Sequence, residues 1–453
     1  MSILGILNIG TTALLTAKSA LNTTSNNIAN ASTPGYTRQS AVLASVPSGL
    51  TSMTGTSGNG VTISDIERMY DSFTTLQLRN EKSTSSYWNT YSNYAGSIET
   101  VFNETSDTGI GPAISSFFSA WQQVAQDPGN TVQRTALINA GQYLASRINS
   151  AYNTMADQQG QIYRNSQDLV TQVNNISQQI YSLNEKIVAS PGALDLKDQR
   201  DALVEQLNEI TRVDTVQDGG GRYAIYLGGT ALVDPSGSYS MSVALDTSNA
   251  MQFSVGSANI NSLMTSGSLR ANLDARDTTI AGYIGQLNTF AAGLGNAVNN
   301  QQALGFDLNG NLGGNFFSTT AGFDARDLRV TITDPRLIAA SGTAAGVPGN
   351  NTNAQAIADM ANSGVAQLGG ITPIEYYSRL VAATGADAQS ANTYIKFQTA
   401  LVSQLETQRQ SVSGVSLDEE AVNLVQYQKS FEAAAKLIST GNDLLETIIG
   451  MVK

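Results

Sequence analysis

The chain has 453 residues, of which 41% are hydrophobic, which gives room for two or three domains and a sizeable core. Charged residues are only 13% and the net charge is −12, with no basic patch or tail, which argues against nucleic acid or an anionic membrane as partners. Cys and His are both absent, which removes thiol nucleophiles, Ser-His-Asp triads, the usual zinc sites and His general bases, so we expect no enzyme, no cofactor and no metal.

In chain order, residues 1–17 have the apolar character of a secretory signal. They lack a positive region in front, however, and Asn8, Thr11 and Thr12 interrupt the run. No stretch reads as long enough to span a bilayer, and export without a cleaved signal is the expectation. Steps of alternating four and three residues pick out Ile3, Leu7, Gly10, Leu14, Ala17, Leu21, Thr24 and Ile28 as one face of a helix. Asn30, Pro34 and Gly35 predict its end near 28–31, and Thr33-Pro34-Gly35-Tyr36 reads as a turn. Ser40 to Ile63, rich in Ser, Thr and Gly, reads as a mostly irregular arm with an extended Val61-Thr62-Ile63.

Helical periodicity then covers 65–103 and 113–126, the latter stopped by Asp127-Pro128-Gly129. Leu137 to Ile187 keep one apolar face; unbroken, this helix is roughly 75 Å long at ~1.5 Å per residue. Its weak point is Gln158-Gln159-Gly160. A shorter helix covers 195–210. From Arg212 the period changes to two, with Tyr223, Ile225 and Leu227 on one face and Met241, Val243 and Leu245 alternating with Ser242 and Ala244. Asp214, Asp218, Asp234 and Asp246 lie here at no catalytic spacing and read as turn acids.

Helix returns over 267–303. Asp307-Leu308-Asn309-Gly310-Asn311 starts like a calcium loop, but Leu312 stands where a glycine is needed and Ser318 where an acid is needed, so a tight turn is expected. Leu328 to Ile332 reads as a short strand, and helices follow over 354–367 and 373–410. The closing helix, from Ser416 to Val452, carries the stepping Leu417, Ala421, Leu424, Gln428, Phe431, Ala435, Ile438, Asn442, Leu445, Ile449 and Val452. Ser416 and Glu419 form its capping box. Either this seam packs on a globular core as any amphipathic helix does, or it pairs with the seam at the N-terminus.

Ser25 to Gln39, with Asn26, Asn30, Thr33, Pro34, Gly35, Tyr36, Arg38 and Gln39, closely resembles the N-terminal signature of the bacterial flagellar rod, hook and hook-associated proteins. Gly58-Asn59-Gly60-Val61 with Ile66, Arg68 and Asp71 is similar to its continuation in the hook-associated branch. So are Gly267-Ser268-Leu269-Arg270 with Ala275-Arg276-Asp277, and Gly414 to Glu420 with Asn423-Leu424, Gln426, Gln428 and Phe431. The resemblance implies a secreted structural protein of the extracellular flagellum that polymerises at the hook–filament junction. The implied partners are copies of itself, the hook protein, a second junction protein, an export chaperone on the C-terminal helix and the flagellar type III export apparatus. Other flagellar axial proteins remain an alternative, although the Thr33-Pro34-Gly35-Tyr36 signature disfavours flagellin; so does, from another class, a secreted glycan-binding protein or enzyme using the β region.

The expected fold is mainly α with an inserted small β domain, an elongated multidomain rod whose N- and C-terminal helices pair as a coiled coil. The expected division is 1–36 with 416–453 as the assembly domain, 37–211 with 262–415 as the helical rod, and 212–261 as the antiparallel β insert. The assembly interface is expected at Ile3, Leu7, Leu14, Leu21 and Ile28 and at Leu417, Leu424, Phe431, Ile438, Leu445 and Ile449. Leu4, Ile6, Leu15, Val425, Leu437 and Ile448 lie off the seams and are free to meet neighbouring subunits. Such lightly charged termini are expected to become stably helical only on assembly. Amide exchange on the dilute chain should find both ends unprotected; protection at both ends would reject this.

Overall fold

The computed structural model describes residues 3–47, 58–102, 108–318 and 323–451. It is 66% helical with small sheets between the helices. The chain divides into two compact units. The first comprises residues 1–83, 173–240 and 398–453, and the second 84–172 and 241–397.

The first unit is built on two long helices, α1 (Ile3–Ala29) and α10 (Leu417–Met451). They run antiparallel: Leu7 lies against Gly441, Gly10 against Ile438, and Asn27 against Glu420. On α1 the expected face is the packed one, with Gly10, Ala17 and Thr24 buried and Leu7, Leu14, Leu21 and Ile28 half-buried. The side chain of Ile3 and all of Val452 lie outside the described residues.

On α10 the expected seam is half right. Leu424, Phe431, Ile438 and Leu445 turn inward, but Glu420, Tyr427, Ala434 and Gly441 alternate with them, and Ala421, Gln428, Ala435 and Asn442 are exposed. Gln428 and Asn442, expected in the seam, are therefore outside it. Leu417 is 56% exposed and Ile449 60%. The cause is close approach. A Cβ on Gly441 would come within 2.7 Å of Leu7, and one on Gly10 within 2.8 Å of Ile438, so α1 selects the small residues of α10. Leu4, Leu15, Val425, Leu437 and Ile448 remain exposed.

Strands β1 (Gln39–Ser45) and β2 (Val61–Arg68) form an antiparallel hairpin with a bulge at Val42/Leu43. The irregular arm read from the sequence is therefore ordered pairing on either side of residues 48–57, which lie outside the described set. The Ser/Thr/Gly composition hid it, because the hairpin takes its support from α1. The Thr16 hydroxyl donates to Val61 O at 2.9 Å, and Gly60 passes close to Thr12. Asp65 to Arg68 are strand, so α2 (Ser72–Phe102) starts later than expected, where Asp71 accepts from the amides of Phe73 and Thr74.

Among the described residues one helix, over Leu4–Ala29, is long and apolar enough to cross a membrane by length and composition, contrary to the sequence expectation. Alanine, leucine and isoleucine outweigh Asn8 and the threonines across the window.

The C-terminal part of α4 (Thr131–Ala189) and α5 (Leu194–Ile210) carry a four-stranded antiparallel sheet. Its strands are β3 (Asp214–Gln217), β4 (Tyr223–Leu227), β5 (Thr230–Asp234) and β6 (Gly237–Ser238). Asn184 of α4 acts as a strand would, donating to Tyr223 O at 2.8 Å and accepting from Tyr223 N at 3.0 Å. The Arg200 guanidinium covers the Tyr223 ring at 3.5 Å and donates to Asn184 and Gly221 O.

In the second unit, β7 (Met241–Leu245), β8 (Met251–Val255) and β9 (Ala258–Asn259) form a separate three-stranded sheet. The stretch read as one β insert is thus two sheets in two units. The core lies around α3 (Ile110–Gln126), where Phe117 and Trp121 meet Phe316 and Phe317. Asn299 of α7 (Ala281–Gln302) pins those two phenylalanines by accepting from both amides.

Ahead of α7, α6 (Ser268–Leu273) continues into a π-helical segment, Asp274–Ile280. Here Arg276 donates from Nε to Gln159 O, and the Gln159 side chain donates to Arg276 O. This reciprocal pair holds α4 continuous across the expected weak point. Leu328 to Ile332 forms no strand, only an isolated bridge from Phe317 to Val330. Helix α8 (Thr352–Asp359) and the N-terminal part of α9 (Pro373–Ser413) complete the unit.

Gly10→Leu should overpack the α1–α10 contact and weaken it by about 1–3 kcal/mol. The measurement is amide exchange along α10 in the chain assembled on isolated hooks, and wild-type exchange rates in the assembled variant would refute the close-approach account.

Candidate assembly site

The signature turn lies in the first unit, where α1 ends and the hairpin begins. Asn26 and Asn30 stitch the last helical turn, with Asn30 Nδ2 donating to the Asn26 side chain at 2.8 Å, and Thr33 Oγ1 donating to Asn30 Oδ1 at 3.2 Å. Tyr36 N then bonds Thr33 O at 3.2 Å. With Pro34 at the second position and Gly35 at the third, the latter at φ +80°, this is a type II turn, and the positive φ is the reason for glycine there.

The side chains of Asn27, Tyr36 and Arg38 point inward around the turn. Asn27, only 1% exposed, makes four hydrogen bonds. It donates to Gln39 O at 2.8 Å and to Glu420 Oε2 at 3.2 Å, and it accepts from Gln39 N at 2.9 Å and from the Tyr36 hydroxyl at 2.8 Å. Its amide is fully used. Burial, then the charges of Asp198 and Glu420, push the Tyr36 phenol up to about 12, so it remains a donor at neutral pH.

Arg38 donates from Nε to Glu420 Oε1 at 2.8 Å and pairs with Glu419 at 3.0 Å. Its amide donates to Ser413 O at 3.0 Å, and its carbonyl accepts from Met69 N at 2.8 Å. One residue therefore ties together the signature, the hairpin base, the end of α9 and the start of α10. Glu420 is 1% exposed, and a carboxylate so placed requires both its guanidinium and its amide partner. The cap of α10 is in place too, with Glu419 N donating to Ser416 Oγ at 3.4 Å, but the Glu419 side chain is engaged by Arg38.

A second layer of ion pairs supports the first. Arg68 bridges Asp198 and Asp201 at 2.8 Å each, and Arg79 meets Asp201 at 3.0 Å. Lys82 meets Glu205 at 2.6 Å and Glu406 at 2.9 Å. Burial alone would raise the Glu205 carboxyl, but Lys82 and Arg409 outweigh it and hold its pKa below the usual range. Thr37 N donates to Asp198 at 3.2 Å, which joins the two layers.

Of the expected signature residues, Asn26, Asn30, Thr33, Pro34 and Gly35 shape the turn, while Tyr36, Arg38 and Gln39 enter the node. Asn27 and Glu420, the two most buried members, were missed as site residues, although both stand inside the quoted motifs. Nothing in the periodicity marked them, since the expected seams passed through neither residue. The acids of the β region are engaged locally: Asp218 accepts from Gly220 N and Arg222 N, Asp234 from Ser236 N, and Asp246 from Ser248 N. Asp307 closes a turn by accepting from Asn309 N and Asn311 N. Among the described residues no cluster of three metal-binding side chains occurs.

Arg38→Met leaves Glu420 buried without its cation and should destabilise the first unit by about 3–5 kcal/mol. Denaturant unfolding measures it, and a cycle with Glu420→Gln should show strong coupling; additive single effects would contradict the node.

Comparison with known proteins agrees with this arrangement. The model for the helical domain of flagellar hook-associated protein FlgK matches residues 95–317. The flagellar basal body rod FlgEFG C-terminal model matches 400–451, and the flagella basal body rod protein model matches 7–37. Flagellar hook-associated protein 1 of Salmonella typhimurium is 28% identical, over 98% of this chain and 99% of its own length. That of Bacillus subtilis is 26% identical, over 96% of both. The flagellar hook junction protein FlgK from Burkholderia pseudomallei has the same fold, with a TM-score of 0.67 at 19% identity over 74% of this chain and all of the solved one. The chain is thus similar from end to end to flagellar hook-associated protein 1 of both organisms, and the helical-domain model of the same protein matches its middle.

Proposed function

We propose that this chain is a structural subunit of the bacterial flagellum that forms, by polymerisation, the junction joining hook to filament. The observation that carries this reading is the antiparallel pair of terminal helices, locked at Arg38, Asn27 and Glu420 and still exposing a row of large apolar side chains. Leu4, Leu15, Val425, Leu437, Leu444 and Ile448 on that pair stand in water in the single chain, an arrangement suited to burial against further subunits. The seam residues Leu7, Leu14, Leu21, Ile28, Leu424, Phe431, Ile438 and Leu445 hold the pair itself, while Leu417 and Ile449, outside the seam, belong with the outward surface.

Hook protein on one side and a second junction protein on the other are the neighbours of such a subunit. Before assembly, the export chaperone covers α10, and the type III apparatus carries the chain out without a cleaved signal. The rod models matching both termini support a core common to axial proteins, and the helical-domain model between them favours the junction role over rod or flagellin. The role is structural rather than catalytic.

Electron microscopy of isolated hooks mixed with the purified chain tests the proposal. Added density is expected at the distal hook end only; hooks that remain bare at saturating protein would overturn it.

A further inference from the structure

Among the described residues the sheets guard their edges unequally. A free strand edge is a row of unpaired N–H and C=O groups open to another chain, and proteins blunt it with charge, proline, a bulge, short length or a covering element. The β1–β2 pair has its bulge at Val42/Leu43, and Val61 O of β2 is taken by Thr16 of α1. Strand β3 begins on Asp214 and is followed by Asp218, while β6 and β9 are two residues long. Strand β7 has none of these devices. It is the outer strand of its sheet, it pairs with β8 in unbroken register, and residues 236–245 contain neither charge nor proline.

The direction of the free groups on β7 follows from its partner. On β8, Phe253 N donates to Asn261 Oδ1, Phe253 O accepts from Ile260 N, and Met251 N donates to the Asp277 carboxylate, so Met251 and Phe253 face away from β7. Gln252 and Ser254 therefore bond to Ala244 and Ser242, which stand opposite them. Asp246 N, donating to Ala250 O, keeps the same alternation. The N–H and C=O groups of Val243 and Leu245 thus point out of the sheet, and no strand pairs with them among the described residues. Ser242 and Ala244 are exposed, and Leu245 is 39% exposed beside a half-buried Val243.

We propose that β7 pairs with the β7 of a second copy of this chain, antiparallel about a two-fold axis at Ala244, so that the two three-stranded sheets become one. Val243 of each copy then stands opposite the partner's Leu245, and each such pair exchanges both of its N–H···O bonds. The two side chains of a pair lie on the same face, so each Leu245 is covered by the partner's Val243. A second copy is the occupant because this edge meets itself without penalty. Its free residues alternate, so the axis sets every donor against an acceptor. Asp246, opposite the partner's Ser242, keeps its carboxylate on the amides of its own turn. The same operation at Val216 of β3 would set Asp214 against the partner's Asp218, and like charges directly opposite repel. Two five-residue strands bury far less than the ~1,000 Å² of a stable interface, so the pairing is reversible. A two-fold contact closes on itself and does not propagate, so it joins free chains in pairs and is separate from the assembly surface of the terminal helices.

The chain has no cysteine, so an introduced thiol reports this contact alone. Ala244 faces its own copy across the axis as a non-hydrogen-bonded pair, with Cα atoms about 4.5 Å apart and within disulfide reach. Ser242 is exposed on the same face of the same strand, but its two copies stand about 14 Å apart at ~3.4 Å per residue. On mild oxidation in solution, the full-length Ala244→Cys chain should give at least tenfold more disulfide-linked dimer than the Ser242→Cys chain. Equal yields from the two would mean chance collision and would overturn the proposal. Leu245→Lys added to Ala244→Cys places a cation in the contact and should lower the dimer yield at least tenfold, with the circular dichroism spectrum unchanged because Leu245 lies at the surface. Undiminished cross-linking in that variant would equally reject the pairing.

Discussion

The structure depends on one buried carboxylate. Glu420 enters α10 at the place where that helix meets the end of α1, and a charge removed from water there is tolerated only because Arg38 and Asn27 reach it. Both partners are set by the turn between them: Pro34 and Gly35 reverse the chain so that Asn27 and Arg38, eleven positions apart in sequence, converge on the same group. The turn is therefore less a connector than the means by which the two ends of the chain recognise one another.

This node fixes a register. Antiparallel helices with small residues at their contact can slide past one another at little cost, and the contacts Gly10–Ile438 and Gly441–Leu7 are apolar. A single satisfied polar contact at one end removes that freedom, because any slip leaves Glu420 buried without partners. With the register fixed, the outward apolar residues fall in one definite pattern, and polymerisation requires a defined pattern rather than mere stickiness.

The second layer of ion pairs extends the same logic to α5, α2 and α9. Arg68 lies between two carboxylates while Asp201 lies between two guanidinium groups, so each charge has more than one partner. Networks of this kind lose less side-chain freedom per contact than isolated pairs and resist local fraying. In a chain with so few charges, their concentration around the signature marks where rigidity is needed, and the neutral Ser- and Thr-rich surface elsewhere suits close subunit contact without repulsion.

Much was legible in the residues alone. Periodicity determined which segments are helical, and composition determined that no thiol or imidazole chemistry is possible. The signature Thr33-Pro34-Gly35-Tyr36 determined a turn, because proline and glycine restrict φ locally whatever surrounds them. Tertiary structure decided what depends on a neighbour. The seam of α10 runs through Tyr427 and Gly441 instead of Gln428 and Asn442 because α1 approaches closely, and a seven-residue repeat by itself fits either choice. The pairing of 39–45 with 61–68 escaped notice, although Val61-Thr62-Ile63 read as extended, because the Ser- and Gly-rich residues around these strands mask their alternation and their support comes from α1. The inward role of Asn27 and Glu420 followed from neither polarity nor spacing, since a polar residue on a helix face is ordinarily solvated, and only the partner brought by the fold makes burial favourable.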